Sequence, residues 1–269
     1  MKWQSDCEKC FGLCCVALPY AKSADFAFDK DAGIPCRNLG PDYRCSIHEQ
    51  LRDTGFHGCV SYECFGAGQH VSQVIYEGKD WREHAELSSQ MYTVFPIVQQ
   101  LHEMLYYLAQ ARDLEETKDI HAPLQSALDQ TLALTRLAPD KILAIDVSAH
   151  RAAVNQLLLK TSEIVRKDFL HHPKKSKARQ DLLGANLKGA DLRGANFRGA
   201  LLIATNLRSA DLRYVDFIGA DLRDADLSGA NLTSSIFLTQ AQVNSAKGNE
   251  TTKLPQYVQA PAHWLNEQA

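Results

Sequence analysis

Residues 181–240 read "DLLGANLKGADLRGANFRGALLIATNLRSADLRYVDFIGADLRDADLSGANLTSSIFLTQ", and their spacing decides the C-terminal part of the fold. Twelve consecutive blocks of five place Leu or Phe second in the block, and Ala or a small substitute usually fifth. A period of five suits neither the 3.6 of a helix nor the 2 of a strand. It suits a coil that turns a corner every five residues, with the central Leu and the Ala two places before it pointing inward. Four blocks then close a square coil, stacked on the next at about 4.8 Å, the usual strand spacing. Phe197, Phe217 and Phe237 recur every 20 residues and would stack as a ladder in such a core.

The outward positions sort by side. Two adjacent sides carry Lys188, Arg193, Arg208 and Arg213 between Asn and Asp residues and read as solvated faces. The other two carry Leu183, Leu201, Ile203, Ile218, Ile236 and Leu238. Such a patch is expected to be covered, by the helical region of the same chain or by a protein partner. The oligomeric state is left open.

Residues 181–248 resemble the pentapeptide-repeat family, whose motif A-[DN]-L-x-x is iterated here. The resemblance implies a right-handed quadrilateral β-helix of three coils, closed by a C-terminal cap within residues 241–269. Residues 174–240 carry 10 Lys or Arg against 7 Asp, so the DNA mimicry of some family members is not expected here, and neither is a nucleic-acid partner.

The chain has 269 residues, 45% hydrophobic and 23% charged, with a net charge of −3. That is enough for two domains and gives no strong pull toward nucleic acid or membrane. Its first residues, "MKWQSDCEKC", lack the apolar stretch of a secretory signal, and no run approaches the roughly 18 apolar residues of a spanning helix. A cytoplasmic location is expected.

All eight cysteines, Cys7, Cys10, Cys14, Cys15, Cys36, Cys45, Cys59 and Cys64, fall within the first 64 residues. Their spacing is C-x2-C-x3-C-C, then C-x8-C-x13-C-x4-C. Disulfides do not suit a reducing compartment. A dithiol couple would need a βαβ context, which the pattern lacks. Metal ligation fits best: Cys7 and Cys10 form a two-residue knuckle, the remaining thiols return from a distance, and soft thiolates select zinc or an iron–sulfur cluster. His48 and His57 lie between the distal cysteines as possible ligands or bases.

"CEKCFGLCC" at 7–15, with "CRNLGPDYRCSIHEQLRDTGFHGCVSYEC" at 36–64, resembles the CxxCxxCC zinc- or iron-chelating family. The resemblance covers residues 7–66 and implies a metal centre without choosing the metal.

Between these parts the pattern is helical. Val94, Val98, Leu101, Leu105 and Leu108 share one helix face, and Pro123 opens a helix carrying Leu124, Leu128 and Leu132. A third helix starts near Asp146 and buries Val147, Val154, Leu158 and Val165. His102 and Glu103 are expected to face solvent. "FGAGQH", with Gly66 and Gly68, reads as a turn closing the cysteine module.

The expected architecture is multidomain α+β: a cysteine-rich metal module at 1–80, a helical region at 81–172, a basic linker at 173–180, the β-helix at 181–240 and the cap and tail at 241–269. The expected function is a metal-binding scaffold, or a redox or metal sensor. The alternative is a metal-centre enzyme with its pocket between the cysteine module and the helical region; no catalytic residue stands out.

Overall fold

In the computed structural model, which describes residues 3–169 and 181–265, the repeat meets its own period. Position 1 of each block bridges position 1 of the block 20 residues on, from Asp181↔Leu201 through Asp216↔Ile236. The N–H groups of positions 2 and 4 donate to the next coil, as Leu182 N–H does to Leu201 O and Gly184 N–H to Ile203 O, each at 2.9 Å. Position 5 turns back on its own block, with Ala185 N–H on Leu182 O.

Position 1 is Asp or Asn for a local reason. Its side-chain oxygen accepts the N–H of position 3, as in Asp181 with Leu183 at 3.2 Å and Asp226 with Ser228 at 2.9 Å. That Asx turn sets up the corner. Position 4 then takes the left-handed conformation, which Gly adopts without strain; Ala204, Ser209, Tyr214, Asp224 and Ser234 adopt it at φ near 55–60°.

The expected right-handed quadrilateral β-helix, and with it the α+β class, is corrected by these bonds. Among the described residues helix is the only extended secondary structure, and every β contact is an isolated bridge. A corner every five residues leaves one paired residue per block, too few for a strand or sheet. The result is a stack of bridged turns.

Its interior is Phe197, Phe217 and Phe237 with Leu202, Leu207, Leu212, Leu222, Leu227 and Leu232, all buried. The Phe197 and Phe217 rings lie 5.9 Å apart. Of the apolar outward positions, Leu183 and Leu201 remain 64% and 45% exposed, and Ile203 and Ile218 are half-buried. Ile236 and Leu238 are instead buried, Leu238 within the core. The phase breaks at Phe237, which takes φ 61° at a position where no other block is left-handed, and so turns Leu238 inward.

By its internal contacts the chain divides into two units, residues 1–114 with 118–158, and residues 115–117 with 159–269. The sequence-read linker at 173–180 lies outside the described residues. In the first unit, the short helices α1 (Leu13–Ala17), α2 (His57–Val60) and α3 (Ala67–His70) lead into α4 (Ala85–Asp113), then α5 (His121–Leu134) and α6 (Pro139–Leu143). Helix α7 (Val147–Arg166) crosses the boundary between units.

The sequence-read face of α4 is buried at Val94, Val98, Leu101, Leu105 and Leu108. His102, expected in solvent, is instead 4% exposed because α4 is enclosed on more than one side. Its Nδ1–H donates to Phe65 O at 2.9 Å. Glu103 takes Arg151 at 3.2 Å.

In the second unit, α8 (Gln240–Ser245) opens with a capping box between Thr239 and Gln242. The Gln242 amide also donates to the Phe217 and Ala220 carbonyls, satisfying groups the coil would leave open. Lys247 and Lys253 bridge the last coil, and Trp264 is buried with its indole N–H on Ala246 O at 3.0 Å. On another side Phe169 stacks on Tyr214 at 5.4 Å, and a Cβ at Gly194 would sit 2.4 Å from Phe169 Cβ. This contact lies beside Arg193, on a side whose charged residues read as a solvated face.

Candidate metal centre

Helix α1 begins immediately after Gly12, which takes φ +64°; a Cβ there would meet Leu39 Cδ1 at 2.7 Å. Leu13, Val16 and Ala17, spaced i, i+3, i+4, turn into the core with Met91, Val94 and Phe95 of α4. Cys14 packs, partly buried, against the same core. The tight turn also points the N–H groups of Gly12 and Leu13 at Cys10 sulfur, which favours its thiolate.

Cys7 and Cys10 are joined by Cys10 N–H on Cys7 O. Gly68 explains the "FGAGQH" glycines: a Cβ there would stand 2.6 Å from Cys10 Sγ and 3.8 Å from Cys64 Sγ. The two thiols share that space, and only glycine leaves it free. Ser5 Oγ lies 2.9 Å from Cys64 Sγ.

Cys36 and Cys45 flank a hairpin-like turn held by the Leu39↔Cys45 bridge and Ser46 N–H on Asn38 O. Each sulfur faces an N–H two residues on, from Asn38 to Cys36 at 3.4 Å and from Ile47 to Cys45. The Tyr20 hydroxyl donates to Cys36 Sγ at 3.2 Å, and Cys36 N–H donates to Cys15 O at 2.8 Å. Cys59 follows Phe56, whose ring packs against Tyr20.

All eight thiols are free. Burial pushes Cys10 up to about 11 and Cys59 up to about 12, and it raises Cys7 and Cys45 as well. Cys14 and Cys15 stand 3.9 Å apart; their mutual hydrogen bond raises Cys14 and lowers Cys15. Neighbouring thiolates further oppose one another, and a bound cation reverses both effects.

One group that the sequence pattern does not single out is Lys30. It is buried, and its ammonium donates to the carbonyls of Val16, Leu18 and Asp31 at 3.1, 2.6 and 3.0 Å. Its charge acts on Cys36, Cys15 and Cys14. The only trace in the sequence is a lysine among turn residues, six places before Cys36.

Of the two candidate histidines, His48 is exposed and His57 half-buried. Among the described residues, no three or more His, Cys, Asp or Glu side chains stand as an ion would require. The sulfurs of Cys10 and Cys64 flank Gly68 and those of Cys14 and Cys15 stand 3.9 Å apart, and thiol donors suit zinc or an iron–sulfur cluster. No helix among the described residues is long and apolar enough to cross a membrane.

The pentapeptide repeats family matches at residues 179–208 and 200–237. Solved structures with 28% identity include a pentapeptide repeat protein from the Arabidopsis thaliana thylakoid lumen, covering 32% of this chain and 64% of that one with a TM-score of 0.23. Another is a pentapeptide repeat protein from Nostoc, at 28% identity, covering 36% of this chain and 93% of that one with a TM-score of 0.24. The uncharacterized protein YybG of Bacillus subtilis (strain 168) is 64% identical over 262 residues, which is 97% of this chain and 94% of that protein. The chain belongs to the family of YybG, and its residues 179–237 are pentapeptide repeats.

Proposed function

We propose that this chain is a metal-binding protein whose cysteine module holds zinc or an iron–sulfur cluster and whose repeat coil serves as an interaction scaffold. The metal acts structurally or as a redox or metal sensor. What supports this is the gathering of eight free thiols in one unit, with backbone N–H groups aimed at the sulfurs of Cys10, Cys36 and Cys45. Those N–H groups favour thiolates, which a soft cation binds. The resemblance of residues 7–66 to the CxxCxxCC chelating family points the same way.

Eight unbridged thiols persist in a reducing compartment, so we assign the chain to the cytoplasm. The coil edge bearing Leu183 and Leu201 is the surface we assign to a protein partner, since these two large apolar side chains of the coil stay exposed. The test is metal and sulfide content with the visible spectrum, on full-length protein purified without air. A brown sample with sulfide identifies an iron–sulfur centre, and a colourless one with bound zinc a zinc centre. Folded protein with neither overturns the reading.

A further inference from the structure

Resting on that metal-binding reading, we propose that the eight thiols form two separate four-cysteine centres. One is Cys7, Cys10, Cys14 and Cys64; the other is Cys15, Cys36, Cys45 and Cys59. Each takes one thiophilic ion or one iron–sulfur cluster.

Backbone geometry builds each set. In the first, Cys7 and Cys10 share a turn, Cys10 and Cys64 share the space over Gly68, and Cys14 follows four residues after Cys10. In the second, Cys36 is bonded to Cys15 through the backbone, its carbonyl accepts the Leu39 N–H, and Leu39 in turn bridges Cys45. The electrostatic neighbours of Cys10 and Cys59 follow this division, while Cys7 is acted on by Cys64 and then by Cys15. Cys64 and Cys7 act on Cys10, whereas Cys15, Cys45 and Cys36 act on Cys59.

The sets meet at Cys14 and Cys15, which are successive residues of α1 and so point about 100° apart around the helix axis. Their sulfurs are 3.9 Å apart. That also suits two ligands of one tetrahedral zinc, where bonds of about 2.3 Å place sulfurs about 3.8 Å apart. A single centre holding both Cys14 and Cys15 is therefore the rival arrangement.

The two centres differ in their surroundings. A divalent ion with four thiolates carries a net charge of about −2. Lys30, the Tyr20 hydroxyl and the Asn38 N–H offset that charge around Cys36, which is buried. Cys7 is exposed, and Glu63 and Asp6 lie beside it. The Cys7 centre is the one that gives up its metal first.

The test is titration of the metal-free full chain with Co(II), without air, following the thiolate-to-cobalt absorbance. The wild type should reach its plateau at two equivalents, one of them removed much faster by a chelator. A plateau at one equivalent overturns the division and leaves the metal-binding reading standing; no absorbance overturns both. Cys7→Ser, Cys14→Ser and Cys64→Ser should each lose the fast equivalent, and Cys15→Ser, Cys36→Ser and Cys45→Ser the slow one. Cys7→Ser with Cys64→Ser should retain one equivalent, and Cys7→Ser with Cys45→Ser none. If Cys14→Ser and Cys15→Ser lose the same equivalent, the rival arrangement is correct. The wild-type plateau needs no variant, so misfolding of a mutant leaves the proposal testable.

Discussion

The repeat coil and the cysteine region solve the same problem in opposite ways. In the coil, position 1 makes the bridge, position 2 fills the core, position 4 turns the corner and position 5 closes the block, and this scheme holds through the first eleven blocks. In the cysteine region, residues 7–64, no helical element is longer than five residues. A region of the first kind is held by repetition and a buried apolar ladder. One of the second kind has a small aromatic cluster of Tyr20, Phe26, Phe28 and Phe56 and what α1 and α3 lend to α4, and on the proposed reading a metal joining its thiols supplies the rest.

The largest effect that should break this contrast is metal removal. Structural zinc contributes on the order of 10 kcal/mol to a small module. Cys45→Ser, or a chelator, should make residues 7–64 protease-sensitive while residues 181–265 stay resistant; limited proteolysis with mass spectrometry reads both.

Next comes the ladder. Phe217→Ala should destabilise the coil by about 3–5 kcal/mol through lost burial and a cavity. Arg213→Ala, which removes a solvent-screened pair with Asp211, should leave it nearly unchanged. Equal melting temperatures for the two variants would show that the ring stack does not carry the coil.

The third effect belongs to the first unit. Burial lowers His102 from 6.5 to about 4. The unfolded chain then binds a proton that the folded one refuses, so stability falls as pH drops from 6.5 toward 4, with a slope that approaches about 1.4 kcal/mol per pH unit near pH 5. Denaturant unfolding at pH 6.5 and 5.5 should show that slope in the wild type and a shallower one in His102→Phe. The smallest is Ala204→Gly, which relieves a left-handed residue at φ 55° and should stabilise the coil by about 1 kcal/mol in thermal unfolding.

How far the sequence speaks follows the same contrast. The 20-residue register and the Phe ladder are legible because each block repeats its reasons locally. The absence of a strand is not, because a five-residue period says where the chain turns and not how few residues pair between turns. Ile236 and Leu238 mislead because the phase breaks at Phe237, a backbone event without a residue-type signal. The face of α4 is legible from its spacing, but the burial of His102 depends on segments that pack around the helix from elsewhere. The segregation of the thiols into one module is legible in the sequence. Their division is not, since Gly68, Lys30 and Tyr20 reach the sulfurs from distant positions.

The central claim is that metal holds the cysteine region and repetition holds the coil. Hydrogen–deuterium exchange on the full chain, with and without a strong thiophilic chelator, tests it most directly. The account predicts that protection collapses across residues 7–64 and is unchanged across residues 181–265. Unchanged protection at 7–64 after complete chelation, or equal loss in both regions, would contradict it.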